Sequence, residues 1–264
     1  MQDNKDLTLL KEAAFACGTI AKSFFRKDPK VWEKGNDAGP VTEADISINR
    51  MLKSELLFNR PDFGWLSEET EETEETEDCP GRLSKENTFI IDPIDGTRSF
   101  ISGKPTFSHS LAISRNGNVV AGVVYLPILN LMYTACEESQ STLNVKVISI
   151  SKTTSLENSK LLTTSAIMQQ SNWGDSVQGT KIEYIPSLAY RLCLVAEGKF
   201  DAVITLRDCW EWDIAAGDLI VRMAGGLSTD KYNMPLLYNK ESTKTSGCIS
   251  AGIKLNKIIN SSII

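Results

Sequence analysis

Phe89-Ile90-Ile91-Asp92-Pro93-Ile94-Asp95-Gly96-Thr97-Arg98-Ser99-Phe100 is the strongest local signal in the chain. An apolar strand delivers Asp92 to its end, where a side chain enters a cleft rather than the core. Pro93 lacks an N–H and fixes φ, so the chain turns at once and brings Asp95 near Asp92. Two carboxylates so close repel each other, and one pKa rises unless a cation neutralises them. Hard divalent cations with oxygen ligands suit such a pair. Gly96 leaves room for a ligand to approach closely. Thr97 begins a helix whose free N–H groups and positive dipole end favour a phosphate. Strand, paired acids, glycine and helix start together read as a site for metal and phosphate.

Upstream, residues 7–26 have a helical pattern that ends at Asp28-Pro29, followed by a polar loop through Gly35 and Gly39-Pro40. A second helix is predicted over 43–58, with Thr42 as N-cap and Asp45 at the third following position, a carboxylate form of the capping box. A short strand, 63–66, leads into Ser67-Glu68-Glu69. Residues 68–78 repeat Glu-Glu-Thr, and such a like-charge run reads as a solvated loop or frayed helix over 71–78. Glu68 is exempted, because it directly follows an apolar strand and is expected to point back into the body of the protein.

Downstream, 107–114 and 118–126 form a hairpin signal around Asn116-Gly117, and 129–135 extends the sheet. Residues 136–160 are expected to hold the junction between two halves, 1–140 with most of the acids and 141–264. The second half alternates strands (160–164, 181–184, 200–205) with helices (187–197, 213–224, 253–260), and Gly225-Gly226 stops the long one. The mixture implies an α/β sandwich of two sheets with helices between and outside them.

The net charge of −6 argues against nucleic-acid binding, although the six acids of residues 71–78 account for all of it and an anionic substrate remains open. Six cysteines include no Cys-x-x-Cys pair, which leaves structural zinc without support and suggests reduced, buried thiols. His109 is the one histidine, in an alternating stretch without acidic neighbours, and reads as a strand residue satisfied locally. Acid–base work therefore falls to carboxylates, hydroxyls or water. The N-terminal pattern of Leu10, Ala14, Cys17, Ala21 and Phe24 is amphipathic rather than a signal peptide, and no apolar run is long enough to span a membrane. A cytoplasmic protein is expected.

The spacing of the acids separates this chain from haloacid dehalogenase-type phosphatases, whose Asp-x-Asp-Gly-Thr has one residue between nucleophile and second acid. Here Pro93 and Ile94 intervene. Asp92-Pro93-Ile94-Asp95-Gly96-Thr97 with Phe100 instead resembles the first signature of the inositol monophosphatase superfamily, and Trp212-Asp213-Ile214-Ala215-Ala216-Gly217 its second. Pro40-Val41-Thr42-Glu43-Ala44-Asp45 and Trp65-Leu66-Ser67-Glu68-Glu69 fall where that family would have them. The resemblance implies a five-layered αβαβα sandwich and a Mg²⁺-dependent phosphatase with two or three ions per site, Mn²⁺ able to substitute and Li⁺ inhibitory. It implies Glu68, Asp92 and the Ile94 carbonyl at a first metal, and Asp92, Asp95 and Asp213 at a second. Asp45 and Thr97 would orient and deprotonate the attacking water, with Glu68 also in the catalytic set. Gly96 and Thr97 N–H groups would hold the phosphate. Asp213 also reads as a cap for its helix, and the two roles are compatible.

Two regions, 34–45 and 186–198 with Pro235-Leu236-Leu237-Tyr238-Asn239, look more like bacterial 3′(2′),5′-bisphosphate nucleotidases than inositol phosphatases. Inositol phosphatases carry an acid at the end of the next strand, where this chain reads Val203-Ile204-Thr205-Leu206-Arg207. Arg207 is either a solvent-facing charge or a contact for a second phosphate, with Ser187 as a further substrate contact. Trp210 and Trp212 either pack or stack on an adenine. The expected activity is hydrolysis of 3′-phosphoadenosine 5′-phosphate, with inositol 1-monophosphatase as the alternative and a regulatory binding protein as a second alternative. The expected partner is a small phosphorylated metabolite, and the chain itself a monomer or homodimer.

Overall fold

A computed structural model describes residues 2–35, 39–69, 79–169, 172–173 and 179–263. The acidic run 71–78 lies outside the described residues. The helices are α1 (Gln2–Phe24), α2 (Glu43–Asn59), α3 (Cys79–Leu83), α4 (Thr97–Ile101), α5 (Leu188–Ala196), α6 (Glu211–Met223) and α7 (Ile253–Ser262). The strands of the first half are β1 (Val31–Glu33), β2 (Pro40–Thr42), β3 (Gly64–Ser67), β4 (Asn87–Asp95), β5 (Ser108–Arg115), β6 (Asn118–Leu126), β7 (Leu131–Cys136), β8 (Thr142–Leu143) and β9 (Lys146–Val147). Those of the second are β10 (Lys160–Leu162), β11 (Lys181–Glu183), β12 (Ala202–Thr205), β13 (Cys209–Trp210), β14 (Gly226–Thr229), β15 (Lys244–Thr245) and β16 (Cys248–Gly252).

A seven-stranded sheet runs in order β3-β4-β5-β6-β7-β8-β9 and a five-stranded sheet in order β11-β10-β12-β16-β14. Only β3–β4 is parallel in the first, whereas β10 pairs in parallel with both of its neighbours in the second. Alternation along the strands assigns the cores. Phe89 and Ile91 of β4 pack with α1 and α2, while Ile90 packs on the opposite face with α5 and α6. The other sheet closes the α5/α6 layer and carries α7 outside, over Ile204, Ile249 and Leu255. The layers are therefore α1/α2, sheet, α5/α6, sheet and α7: the expected αβαβα sandwich. Gly122 of β6 allows the middle layer to sit this close, since a Cβ there would stand 3.1 Å from the Ala216 Cα.

The region read as a polar loop after α1 is instead a ribbon in which Val31, Trp32 and Glu33 pair with Thr42, Val41 and Pro40. Its β-branched and aromatic residues favour extension more than its glycines oppose it. The helix expected from residue 7 begins at Gln2, where buried Asp3 and Asp6 face Arg115 and Arg60. Five cysteines (17, 136, 193, 209, 248) are free and buried. Among the described residues no helix is long and apolar enough to cross a membrane.

Candidate active site

The acids of the opening motif reach one face through a β-bulge. Asp92 pairs with Ser110 and Asp95 with Ser108, so three steps on β4 match two on β5. Without the extra residue, alternation would put Asp95 on the opposite face from Asp92. The bulge reverses the parity: Ile94 turns into the α1/α2 core, and Asp95 meets α5 on the other side. Pro93 suits the irregular position because it needs no ladder partner. Its carbonyl accepts a hydrogen bond from His109 Nδ1 at 2.5 Å, which gives the lone histidine its local role.

The start of α5 fixes the second acid. Asp95 Oδ2 accepts from Ser187 Oγ and from the Ala189 N–H, each at 2.7 Å. Ser187 holds φ +69 and also caps the helix, its oxygen accepting from Tyr190 N. The Ser187 hydroxyl proton is thus committed to Asp95, a supporting role beside the expected substrate contact. Asp213 is the third residue of α6 rather than its N-cap, and it accepts the N–H of the N-cap residue Trp210 at 3.4 Å.

Asp92, Asp95 and Asp213 bring carboxylate oxygens within 4.8 Å of one another. Burial pushes all three above the usual carboxylate range, and mutual repulsion adds to it for Asp92 and Asp213. Asp92 Oδ1 is buried without a hydrogen-bond partner. An orphaned carboxylate oxygen in an all-oxygen donor set fits a hard divalent cation such as Mg²⁺.

Glu68 follows β3 as expected, with its N–H on the Ile91 carbonyl. Its carboxylate pairs with Lys34 Nζ at 2.9 Å, and Glu69 pairs with the same ammonium at 2.5 Å. Lys34, from the ribbon between α1 and α2, was not identified by sequence reasoning. Burial works against its charge, yet the two glutamates outweigh it and raise its pKa.

Asp45 is the third residue of α2 and fully buried. Its Oδ2 accepts from the Thr42 N–H at 2.9 Å and from the Thr42 hydroxyl at 2.5 Å, completing the predicted capping box. Its Oδ1 lies 3.5 Å from Thr97 Oγ1, which is 3.1 Å from the Ile94 carbonyl. Burial lifts Asp45 to about 6, against the Thr42 hydrogen bonds that hold it down. Gly96 carries φ +97 at the start of α4, a conformation that disfavours any side chain.

These groups surround a cavity of about 560 Å³ with Glu68, Asp92, Asp95 and Asp213 in its wall. Gly96, Thr97, Ser187 and Arg207 line it as well. Asp45 lies behind Thr97 rather than in the wall. Asp208 and Arg191 also line it, and neither was identified from sequence. Asp208 follows β12 by three residues, close to where an acid was judged missing. Arg191 is a charge within the apolar run Leu188–Ala196, a signal that could have been read. Trp210 stacks on Trp212 with centroids 4.8 Å apart, and Lys244 Nζ stands 4.5 Å from its ring centre. The indoles are thus engaged with their neighbours, as the packing reading held.

Residues 3–260 match the model of the inositol monophosphatase family. The inositol-1-monophosphatase of Rhizobium meliloti (strain 1021) is 32% identical over 234 residues, covering 85% of each chain. A Thermotoga maritima protein named fructose-1,6-bisphosphatase/inositol-1-monophosphatase is 36% identical over 193 residues, 72% of this chain and 71% of its own. Among solved structures, the extragenic suppressor protein suhB of Bartonella henselae superposes with a TM-score of 0.80 at 27% identity, covering 97% of each chain. None of these names is that of a bisphosphate nucleotidase, so the alternative of an inositol phosphatase is the better supported. With four motifs in order, a shared five-layered fold and a match over nearly its whole length, the chain belongs to the inositol monophosphatase family of phosphoric monoester hydrolases.

Proposed function

We propose that the chain hydrolyses a small polyol phosphate, with an inositol monophosphate as the first substrate to test. The observation that carries this reading is Asp208, an acid in the wall of the same cavity as the converging carboxylates. A carboxylate accepts hydrogen bonds from the neighbouring hydroxyls of a polyol ring, whereas an adenine offers it only the exocyclic amino group. Trp210, the indole read as able to stack on an adenine, is already stacked on Trp212.

Asp92, Asp95 and Asp213, with Glu68 and the Ile94 carbonyl, would hold Mg²⁺. When bound, the cation supplies positive charge to the phosphoryl oxygens and the leaving alkoxide. The Gly96 and Thr97 N–H groups, which have no intrahelical acceptor in a first turn, hold the phosphate. Thr97 orients the attacking water, and Asp45 Oδ1 takes the proton through the Thr97 hydroxyl. A carboxylate lifted to about 6 is a better base than an ordinary one. Water attacks phosphorus directly, and the two-residue spacing of the acids leaves neither as a covalent nucleophile.

The test is phosphate release with Mg²⁺ from inositol 1-phosphate and from 3′-phosphoadenosine 5′-phosphate, in the wild type and in Asp208→Asn. The inositol ester should be the better substrate. The variant should raise its KM about tenfold, the value of a hydrogen bond to a charged group, with little change for 4-nitrophenyl phosphate. Preference for the nucleotide would restore the nucleotidase.

A further inference from the structure

The start of α5 holds Asp95 through Ser187 Oγ and the Ala189 N–H. Arg191 follows four residues after Ser187, its N–H on the Ser187 carbonyl at 3.2 Å. Residues four apart share a helix face, and Arg191 lines the cavity together with Asp95 and Asp213. It is only 5% exposed. A guanidinium is always charged, and burying one is costly unless opposite charge compensates. Its Nε is buried without a hydrogen-bond partner, and the Tyr184 ring centre stands 5.3 Å from Cζ. The compensation comes from the acids of the cluster. Burial raises the pKa values of Asp95 and Asp213, and the charge of Arg191 works against that rise in both. Glu68, at the other side of the cluster, has a cation of its own in Lys34, 2.9 Å away.

We propose that Arg191 is a positioning residue of the cation site, the fixed counter-charge of its Asp95–Asp213 side. While no cation is bound, it offsets the repulsion that folding builds up between the acids. When a cation enters, it opposes the charge that arrives. Both effects act in one direction. The empty cluster is more negative than the filled one, so a nearby positive charge favours the empty state. Arg191 therefore holds the affinity for Mg²⁺ below what the carboxylates alone would give, and lets the fold persist without metal. The inference rests on reading these acids as a cation site, as proposed above, and assigns the residue that tunes it.

Calorimetric titration of the metal-free protein with MgCl₂, and thermal unfolding without metal, test it; neither needs a substrate. Arg191→Met keeps the bulk and removes the charge. It should bind Mg²⁺ about tenfold more tightly, the order expected for one nearby charge in partly buried surroundings. Without metal it should melt below the wild type. Arg191→Lys keeps the charge and should stay near the wild type in affinity. A residue that only packs would lower the melting temperature without tightening Mg²⁺, so unchanged or weaker affinity in a folded Arg191→Met would overturn the proposal. If Arg191→Met does not fold without metal, the double variant Arg191→Met/Asp213→Asn decides. Removing the acid should restore folding, and a double variant that stays unfolded would overturn the counter-charge. A wild type that binds Mg²⁺ no more weakly than Arg191→Met sinks this inference alone. A wild type that binds no Mg²⁺ sinks the proposed function and the inference with it.

Discussion

His109 illustrates how one side chain serves the site without entering it. It is fully buried between Phe107 and Tyr125, and donates from Nδ1 to the carbonyl of the bulge proline. Burial lowers its pKa from 6.5 to about 4. The unfolded chain therefore binds the extra proton between these two values, and stability falls as pH drops through that window. The loss reaches up to about 3 kcal/mol below the folded pKa. With one histidine in the sequence, its ring proton signal is unambiguous in an NMR titration. That signal should not shift between about pH 8 and 5.5 in the folded protein, given its depressed pKa. A midpoint near the unperturbed value would refute the buried, neutral assignment. In His109→Gln the dependence of stability on pH over the same window should be shallower. The carboxylates were legible one by one because their roles follow from local order: an acid after an apolar strand, an acid three residues after a cap. Lys34 and Arg191 were not. Their meaning lies in what they meet across the fold, Glu68 and Glu69 for the first and the charges of Asp95 and Asp213 for the second.

At the scale of elements, the site depends on how strands and helices end. The α2 start illustrates the coupling: Thr42 accepts the Ala44 and Asp45 N–H groups, and Asp45 accepts back from Thr42. Thr42→Ala removes the side-chain half of that exchange. It should cost about 1 kcal/mol of stability, the usual value of an N-cap, read as a lower urea midpoint at unchanged slope. A variant as stable as the wild type would show that tertiary packing alone fixes α2. This cap was legible because it is short-range. The bulge between Asp92 and Asp95 was legible only in outcome: Pro93 announced a turn, but the register with β5 that reverses the parity is a long-range pairing. The ribbon of β1 and β2 was missed for the same reason, since three-residue strands lack the length for a periodic signal.

For the whole molecule, the sandwich converges three separate elements on one cluster of like charges. Asp92 and Asp95 come from the seven-stranded sheet, Asp213 from α6, and the hold on Asp95 from α5. Folding without a cation buries these carboxylates and crowds Asp92 and Asp213 against like charges, which is why their pKa values rise. The sign follows directly. The folded state binds protons more tightly than the unfolded chain, so the cluster's contribution to stability is lost as pH rises above the ordinary carboxylate range. At neutral pH it opposes folding. Removing one charge should then stabilise the metal-free protein, and Asp92→Asn should be more stable than wild type by about 1–3 kcal/mol without Mg²⁺. Adding Mg²⁺ should reverse the order. At about a hundred times Kd the wild type gains about 2.7 kcal/mol by mass action, while the variant gains little and releases no phosphate. Thermal unfolding of both proteins with and without Mg²⁺ checks the crossing. Equal Mg²⁺ stabilisation of both would remove Asp92 from the metal site. A metal-free variant less stable than wild type would instead show that Asp92 is held by contacts its repulsion does not outweigh.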